Sequence, residues 1–193
     1  MEGVVKKILY SHKMNSKVSK RKVRAISDPR LEASMTIGYF DRASQENGMR
    51  CGAGGSIHIS PSLQISWKLN LGMGTNTMAE LVGLRALLFL ANYFGVSHLH
   101  ICGDSLVIIN WFAEKHRLNV IALEYWKERI MKLKDEFELL KVTHIYREHN
   151  CEVDLLSKEV FHSDINCLTW WQKLEDNVGP TQVFKLTCLN TLT

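Results

Sequence analysis

The chain has 193 residues, 46% of them hydrophobic and 23% charged, with three prolines and 12 glycines, which suits one compact domain with short tails. Fibrous, low-complexity and globally disordered classes are excluded, and the longest apolar stretch, 86–96, is broken by Asn92 and Gly95. It falls short of the roughly 20 residues that a membrane-spanning helix needs. The formal charge of +4 is unevenly spread: residues 1–30 carry nine Lys or Arg against Glu2 and Asp28, a local +7, so the rest is mildly acidic at −3.

Residues 1–30 are basic, Ser- and Lys-rich and without sustained hydrophobic period, which predicts a poorly ordered arm ending at Asp28-Pro29. The folded domain is expected over 31–165, with a C-terminal extension over 166–193. Segment 35–40 reads as a strand ending at Asp41, and the turn-rich stretch 45–55 leads to strands at 56–59 and, after Pro61, at 63–69. Thr75-Asn76-Thr77 offers an N-cap before Ala79, Leu81, Leu84, Leu87, Leu88 and Ala91, whose spacing predicts a helix closed by Gly95. A short strand at 96–102 then runs into Gly103-Asp104-Ser105 and a helical apolar face over 106–116. A long amphipathic helix is predicted over 122–140, with Tyr125, Trp126, Ile130, Leu133 and Phe137 inward. A last strand at 142–147 and a last helix at 154–161 follow. This order predicts an α/β fold, an antiparallel meander extended by parallel strands through crossover helices.

Four acids stand where an acid is a poor structural choice. Asp41 ends the first predicted strand and Asp104 the fourth, and a right-handed crossover would bring both carboxylates to one sheet edge. Glu80 lies in the first turns of the helix after Thr75-Asn76-Thr77, and Asp154 opens the last helix, so each can lean over that edge. Singly, Glu80 or Asp154 is a helix N-terminal acid, Asp104 an N-cap and Asp41 a turn residue. Jointly they form a set of hard oxygen donors suited to Mg²⁺ or Mn²⁺, and a pair of such ions suits phosphodiester hydrolysis. Zinc is not indicated: the five cysteines form no CxxC pair and follow no secretory signal, which predicts reduced thiols in an intracellular compartment. Cys102 and Cys151 read as small buried hydrophobes, and Trp170-Trp171 as packing.

The segments YFDRAS (39–44), TNTMAEL (75–81), HICGDS (100–105) and REHNCEVDLLSK (147–158) resemble, in order, the four signature blocks of type 1 ribonuclease H, over roughly residues 35–162. In style the chain is most similar to plant ribonuclease H-like domains related to the C-terminal part of non-LTR retrotransposon reverse transcriptases. The closing Gly179-Pro180 and Phe184 resemble the tail of those proteins. The resemblance implies a mixed five-stranded sheet, three antiparallel then two parallel strands, flanked by helices. It also implies metal-dependent cleavage of the RNA strand of RNA:DNA hybrids, with two Mg²⁺ or Mn²⁺ ions on Asp41, Glu80, Asp104 and Asp154 as the catalytic, metal-binding carboxylates. Asn47 and Asn76 match positions that approach the hybrid, where amides face 2′-hydroxyls, and Thr75 matches a phosphate contact. A turn amide and a helix-cap amide are the alternatives for Asn47 and Asn76, while Asn150 either orients the site or caps the last helix.

Two departures bear on activity. Arg42 stands where the family has glycine, and it either blocks the approach of a nucleic-acid backbone or contributes a phosphate contact. The loop before Asp154 is short and lacks the family's His-bearing segment, leaving His144 or His149 to substitute. The four acids favour a hybrid-cleaving hydrolase; Arg42 and the short loop favour a retroelement-derived module that binds nucleic acid or a partner without efficient cleavage. A 3′-exonuclease on the same broad fold expects DxE at the first strand, and Asp41-Arg42-Ala43 lacks it. The expected partner is an RNA:DNA hybrid bound by a monomer, with no membrane. SKRKVR (19–24) within the basic arm reads as a nonspecific nucleic-acid tether or a nuclear import signal, and the arm equally as an organelle transit peptide.

Overall fold

The computed structural model describes residues 8–11, 35–175 and 177–185. One mixed sheet organises them. Its strands are β1 (Ile8–Ser11), β2 (Thr36–Gln45), β3 (Arg50–His58), β4 (Leu63–Gly72), β5 (His98–Gly103), β6 (Leu139–His144), β7 (Cys167–Leu174), β8 (Asn177–Val178) and β9 (Gln182–Lys185). They lie in the order β1-β6-β5-β2-β3-β4-β7-β8, with β9 also paired to β7. The expected five strands are β2 to β6: β2, β3 and β4 form the antiparallel meander, and β5 and β6 continue in parallel beside β2. β1 adds parallel to β6 and β7 antiparallel to β4, so the sheet is wider than the five strands of the expectation. The SKRKVR segment lies outside the described residues.

The strand expected to stop at Asp41 runs on to Gln45. Its parallel pairing with β5 does end at Phe40↔Gly103, but antiparallel pairing with β3 continues to Gln45↔Arg50. The turn expected over 45–55 shrinks to a 3₁₀ turn, Glu46–Gly48, and β3 starts at Arg50. The glycines of β3 serve close packing rather than turning. A Cβ on Gly54 would sit 2.6 Å from the backbone nitrogen of Ser157, and one on Gly55 2.3 Å from the Trp67 ring.

The helices are α1 (Asn76–Tyr93), α2 (Leu106–Phe112), α3 (Glu124–Lys134) and α4 (Cys151–Glu159). Thr75 caps α1, its hydroxyl accepting from the Met78 N–H at 3.1 Å, and Gly95 leaves it at φ +71°. Every residue of α1 from Ala79 to Ala91 is buried, because the sheet lies on one side and α3 on another. A Cβ on Gly83 of α1 would meet the side chain of Ala53, whereas the neighbouring Gly54 faces α4. Successive strand residues point to opposite faces, so α1 and α4 clasp the sheet between them. Phe40, Trp67, Leu81, Leu84 and Leu88 fill the α1 side.

Two predicted helices were too long. α2 ends at Phe112 with Glu114 at φ +60°, and α3 ends at Lys134 because Leu139, Leu140 and Val142 pair with β5 as β6. Phe137 stays inward beyond the helix end, but Tyr125 is 45% exposed, its ring covered by the Arg129 guanidinium at 4.4 Å. The last helix starts at Cys151 rather than Asp154, and the last strand is Leu139–His144 rather than 142–147. Cys102 is buried, and desolvation pushes its thiol up to about 12. Cys151 is exposed on the first turn of α4, where its Sγ donates to the Glu148 carbonyl, so it is not a buried hydrophobe. Trp170 packs as expected, edge-on to Phe94 and stacked on Phe184. Among the described residues no helix is long and apolar enough to cross a membrane.

Candidate active site

Asp41 and Asp104 are the residues that follow the last parallel pair, Phe40↔Gly103, so the edge where β5 stops presents both carboxyls. Glu80, on the second turn of α1, reaches the same point. One oxygen from each of Asp41, Glu80 and Asp104 lies within 4.8 Å of the others. The helix-cap alternative for Asp104 falls away, since Ser105 holds the N-cap position of α2. Asp154 stands apart from that trio. Arg147 holds one of its oxygens at 2.9 Å, and Lys158, one helical turn on, holds the other.

Burial divides these acids. Asp41 is 3% and Glu80 7% exposed, and Asp41 Oδ2 and Glu80 Oε2 have no hydrogen-bond partner. Burial and the nearby Asp104 push Asp41 up to about 7, against the pull of the Arg42 backbone N–H on its other oxygen at 2.7 Å. Glu80 is pushed up to about 8 by burial and by the charges of Asp104 and Asp41, even though Arg42 pulls it down. For Asp154, burial raises the carboxyl, but the bonds and charges of Lys158 and Arg147 outweigh it and leave the group below its ordinary value. Two buried carboxylate oxygens without a partner, beside a third acid, leave lone pairs that a cation would satisfy. The donor set, all oxygen with no thiolate or imidazole, fits a hard divalent ion.

The surroundings tie this edge together. Asn150, 2% exposed, is not a side-chain cap for α4; its Nδ2 donates to the Phe40 carbonyl at 3.1 Å and fastens the helix beside Asp41. His144 Nε2 meets the Asp104 carbonyl at 3.0 Å, whereas His149 is exposed on a 3₁₀ turn. Asn47 rides on the turn Glu46–Gly48, which is pinned to the start of α1 by the Gly74 N–H donating to the Gly48 carbonyl at 3.0 Å. Cys51 reinforces that link, its Sγ donating to the Gly74 carbonyl at 3.0 Å. Thr75 spends its hydroxyl on the N-cap, and Asn76, the first residue of α1, is exposed. Arg42 turns inward: its Nε lies 3.4 Å from Glu80 Oε1. Sequence reasoning missed the partners of Asp154, although its i,i+4 spacing to Lys158 was a legible signal. Nothing local announces Arg147 or the bond from Asn150 to Phe40.

This wide mixed sheet with helices on both faces and acids at the end of the parallel pair is the ribonuclease H fold. A family model described as reverse transcriptase-like matches residues 63–160, half of the chain, and the chain belongs to that family. That span contains Glu80, Asp104 and Asp154 but not Asp41. Among solved structures, the RNase H1 of the halophilic archaeon Halobacterium salinarum is similar, at 26% identity and a TM-score of 0.60, over 66% of this chain and 97% of that one. LC11-RNase H1, isolated from compost by a metagenomic approach, is similar in fold. Its structure in complex with an RNA/DNA hybrid shares 23% identity and a TM-score of 0.58, over 64% of this chain and 94% of that one. So is the N-terminal RNase H domain of a Mycobacterium tuberculosis protein, at 20% identity and a TM-score of 0.58, over 65% and 97%. No curated protein matches the chain in sequence.

Proposed function

We propose that this protein is a divalent-metal-dependent endonuclease that hydrolyses the RNA strand of RNA:DNA hybrids. The observation that carries the reading is the trio Asp41, Glu80 and Asp104, with two buried oxygens that lack any partner. Buried like charges are unfavourable unless a cation joins them, and a protein keeps such a set where the cation does work. Asp41, Glu80 and Asp104 would hold a first Mg²⁺ or Mn²⁺, and Asp154 would share in a second once released from Arg147 and Lys158. When bound, the ions supply positive charge to the scissile phosphate and to its leaving oxygen.

The chain's own residues do the rest. Asn150 holds α4 against β2, and Asn47, on the turn pinned to the start of α1, and Asn76, exposed as the first residue of α1, are proposed as the amides that meet a strand bearing 2′-hydroxyls. His144, bonded to the Asp104 carbonyl, keeps the turn after β5 in place. Residues 1–30, with their local +7, are proposed to tether the polyanion nonspecifically.

One observation favours a second reading, binding without efficient cleavage: the inner Glu80 and the outer Asp154 both already carry cationic partners from the chain itself. A labelled hybrid incubated with the protein, with and without Mg²⁺ or Mn²⁺, separates the two. Metal-dependent cutting of the RNA strand alone, absent in Asp41→Asn and absent on single-stranded RNA, is the result expected. Retention of the hybrid without cutting would replace the hydrolase with the binding module.

A further inference from the structure

Arg42 stands where the ribonuclease H resemblance expects a glycine, and its side chain enters the acidic site. Its Nε lies 3.4 Å from Glu80 Oε1, with the Arg42 side chain 34% and the Glu80 side chain 9% exposed. The pair therefore bridges β2 and α1 at the mouth of the site, the guanidinium half in water and the carboxylate inside. Of the two Glu80 oxygens, Oε2 is buried and without a partner while Oε1 faces Arg42. Glu80 is also one of the three acids whose oxygens converge within 4.8 Å. A singly charged guanidinium and a doubly charged ion on one carboxylate repel each other strongly at a few ångströms in a partly desolvated site. A long, part-solvated arginine has somewhere to go, since its head can swing into water while its stem stays on the surface.

We propose that Arg42 is a resident counter-ion that competes with the divalent cation for Glu80, so that loading the site requires its guanidinium to leave that carboxylate. The proposal rests on the metal reading given above. It assigns Arg42 neither to blocking the nucleic-acid backbone nor to a phosphate. Arg42 stabilises the metal-free site at the expense of cation affinity, so the site responds to divalent concentration where the same trio alone would stay loaded. Asp154 repeats the arrangement in a weaker form, because its partners Arg147 and Lys158 are 66% and 53% exposed and well screened.

The test is a calorimetric titration of the full chain with Mg²⁺ alone, without nucleic acid, comparing wild type with Arg42→Gln, Arg42→Gly and Arg42→Lys. It is run at about pH 9, so that Glu80, pushed up to about 8, does not take a proton in place of the guanidinium. Arg42→Gln and Arg42→Gly are expected to bind Mg²⁺ about tenfold more tightly, the scale of one charge-assisted contact, and Arg42→Lys to stay near wild type. The Mg²⁺-induced rise in melting temperature should grow in the same two variants, because ligand binding to the folded state adds to its stability. In a Glu80→Gln background, Arg42→Gln should change the affinity less than about twofold, since the contested carboxylate is gone. Equal or weaker Mg²⁺ binding in both uncharged variants overturns the proposal and leaves the metal site standing. Loss of Mg²⁺ binding in every protein, wild type included, overturns the metal reading and the proposal with it.

Discussion

Asp41 and Glu80 face the interior of the molecule while Asp154 is only partly buried, beneath two exposed cations, and their acid strengths move in opposite directions. The inner pair is pushed up by burial and by mutual repulsion with Asp104, with one oxygen of each left bare. The outer acid has both oxygens occupied by Lys158 and Arg147 and is pulled down. An acid without enough internal charge against it calls for a cation from outside, whereas an acid already neutralised is available only by exchange. On the proposed metal reading, the inner acids would set whether the site works and the outer acid would adjust how well.

The sharpest way to break that contrast is to remove one acid from each side. Glu80→Gln should lower hybrid cleavage by at least roughly 10²-fold, the scale of one lost electrostatic contact to a transition state, and Asp154→Asn by clearly less. Single-turnover rates at saturating Mg²⁺ give both numbers, and equal losses would erase the distinction.

A second consequence lies in pH. Asp41 and Glu80 rise from ordinary values of 3.8 and 4.5 to about 7 and about 8 in the fold. Here the folded state binds protons more tightly than the unfolded one. The stability they lend is complete below the unfolded values and is lost as pH rises through the folded ones. The metal-free melting temperature should accordingly fall between about pH 5 and about pH 9, and added Mg²⁺ should oppose the fall. Asp154 has the opposite sign: its contribution is present above the ordinary value of 3.8 and vanishes as pH drops through its lowered one. Asp154→Asn should thus alter only the acid limb, and a flat alkaline limb in the wild type would remove the burial argument.

Gly54→Ala probes the scaffold instead of the charges. The new methyl would collide with α4 backbone at Ser157 and Leu156, costing about 1–3 kcal/mol in denaturant unfolding. Because α4 carries Asp154 while the inner trio lies on β2, α1 and the turn after β5, Mg²⁺ affinity should change far less than stability. Smallest of all is Lys158→Ala, which removes a half-exposed partner of Asp154 and should stay within about 0.5 kcal/mol of wild type. A larger loss would mean that the outer clamp is more than a screened surface pair.

Much of this architecture is legible locally. The strand meander, the Thr75 cap with its apolar helix and the Gly95 stop follow from periodicity and turn chemistry, and α1 runs as that pattern predicts. Errors fall where pairing at a distance overrides local pattern. Gly52, Gly54 and Gly55 look like a turn but lie in β3, where Val160 with the Leu69 carbonyl, the α4 backbone and the Trp67 ring respectively approach too closely for side chains. Leu139 and Leu140 continue a helical stripe yet join β6, because β5 offers them a ladder. The candidate acids were found by residue type and order, but that Asp104 joins Asp41 and Glu80 while Asp154 does not is a matter of packing.

The sequence by itself determined the order of strands and helices, the positions of four acids within them and the basic leading segment. These are properties of neighbours along the chain, set by side-chain period, capping and charge. Only the tertiary structure decided which carboxylate oxygens are stripped of water, that Arg42 leans on Glu80 and that Arg147 holds Asp154. Burial and the Arg42–Glu80 pair depend on distances between residues tens of positions apart, and the Arg147–Asp154 pair on how the chain turns into α4, so no local pattern encodes them until the sheet brings β2, α1 and β5 to one edge.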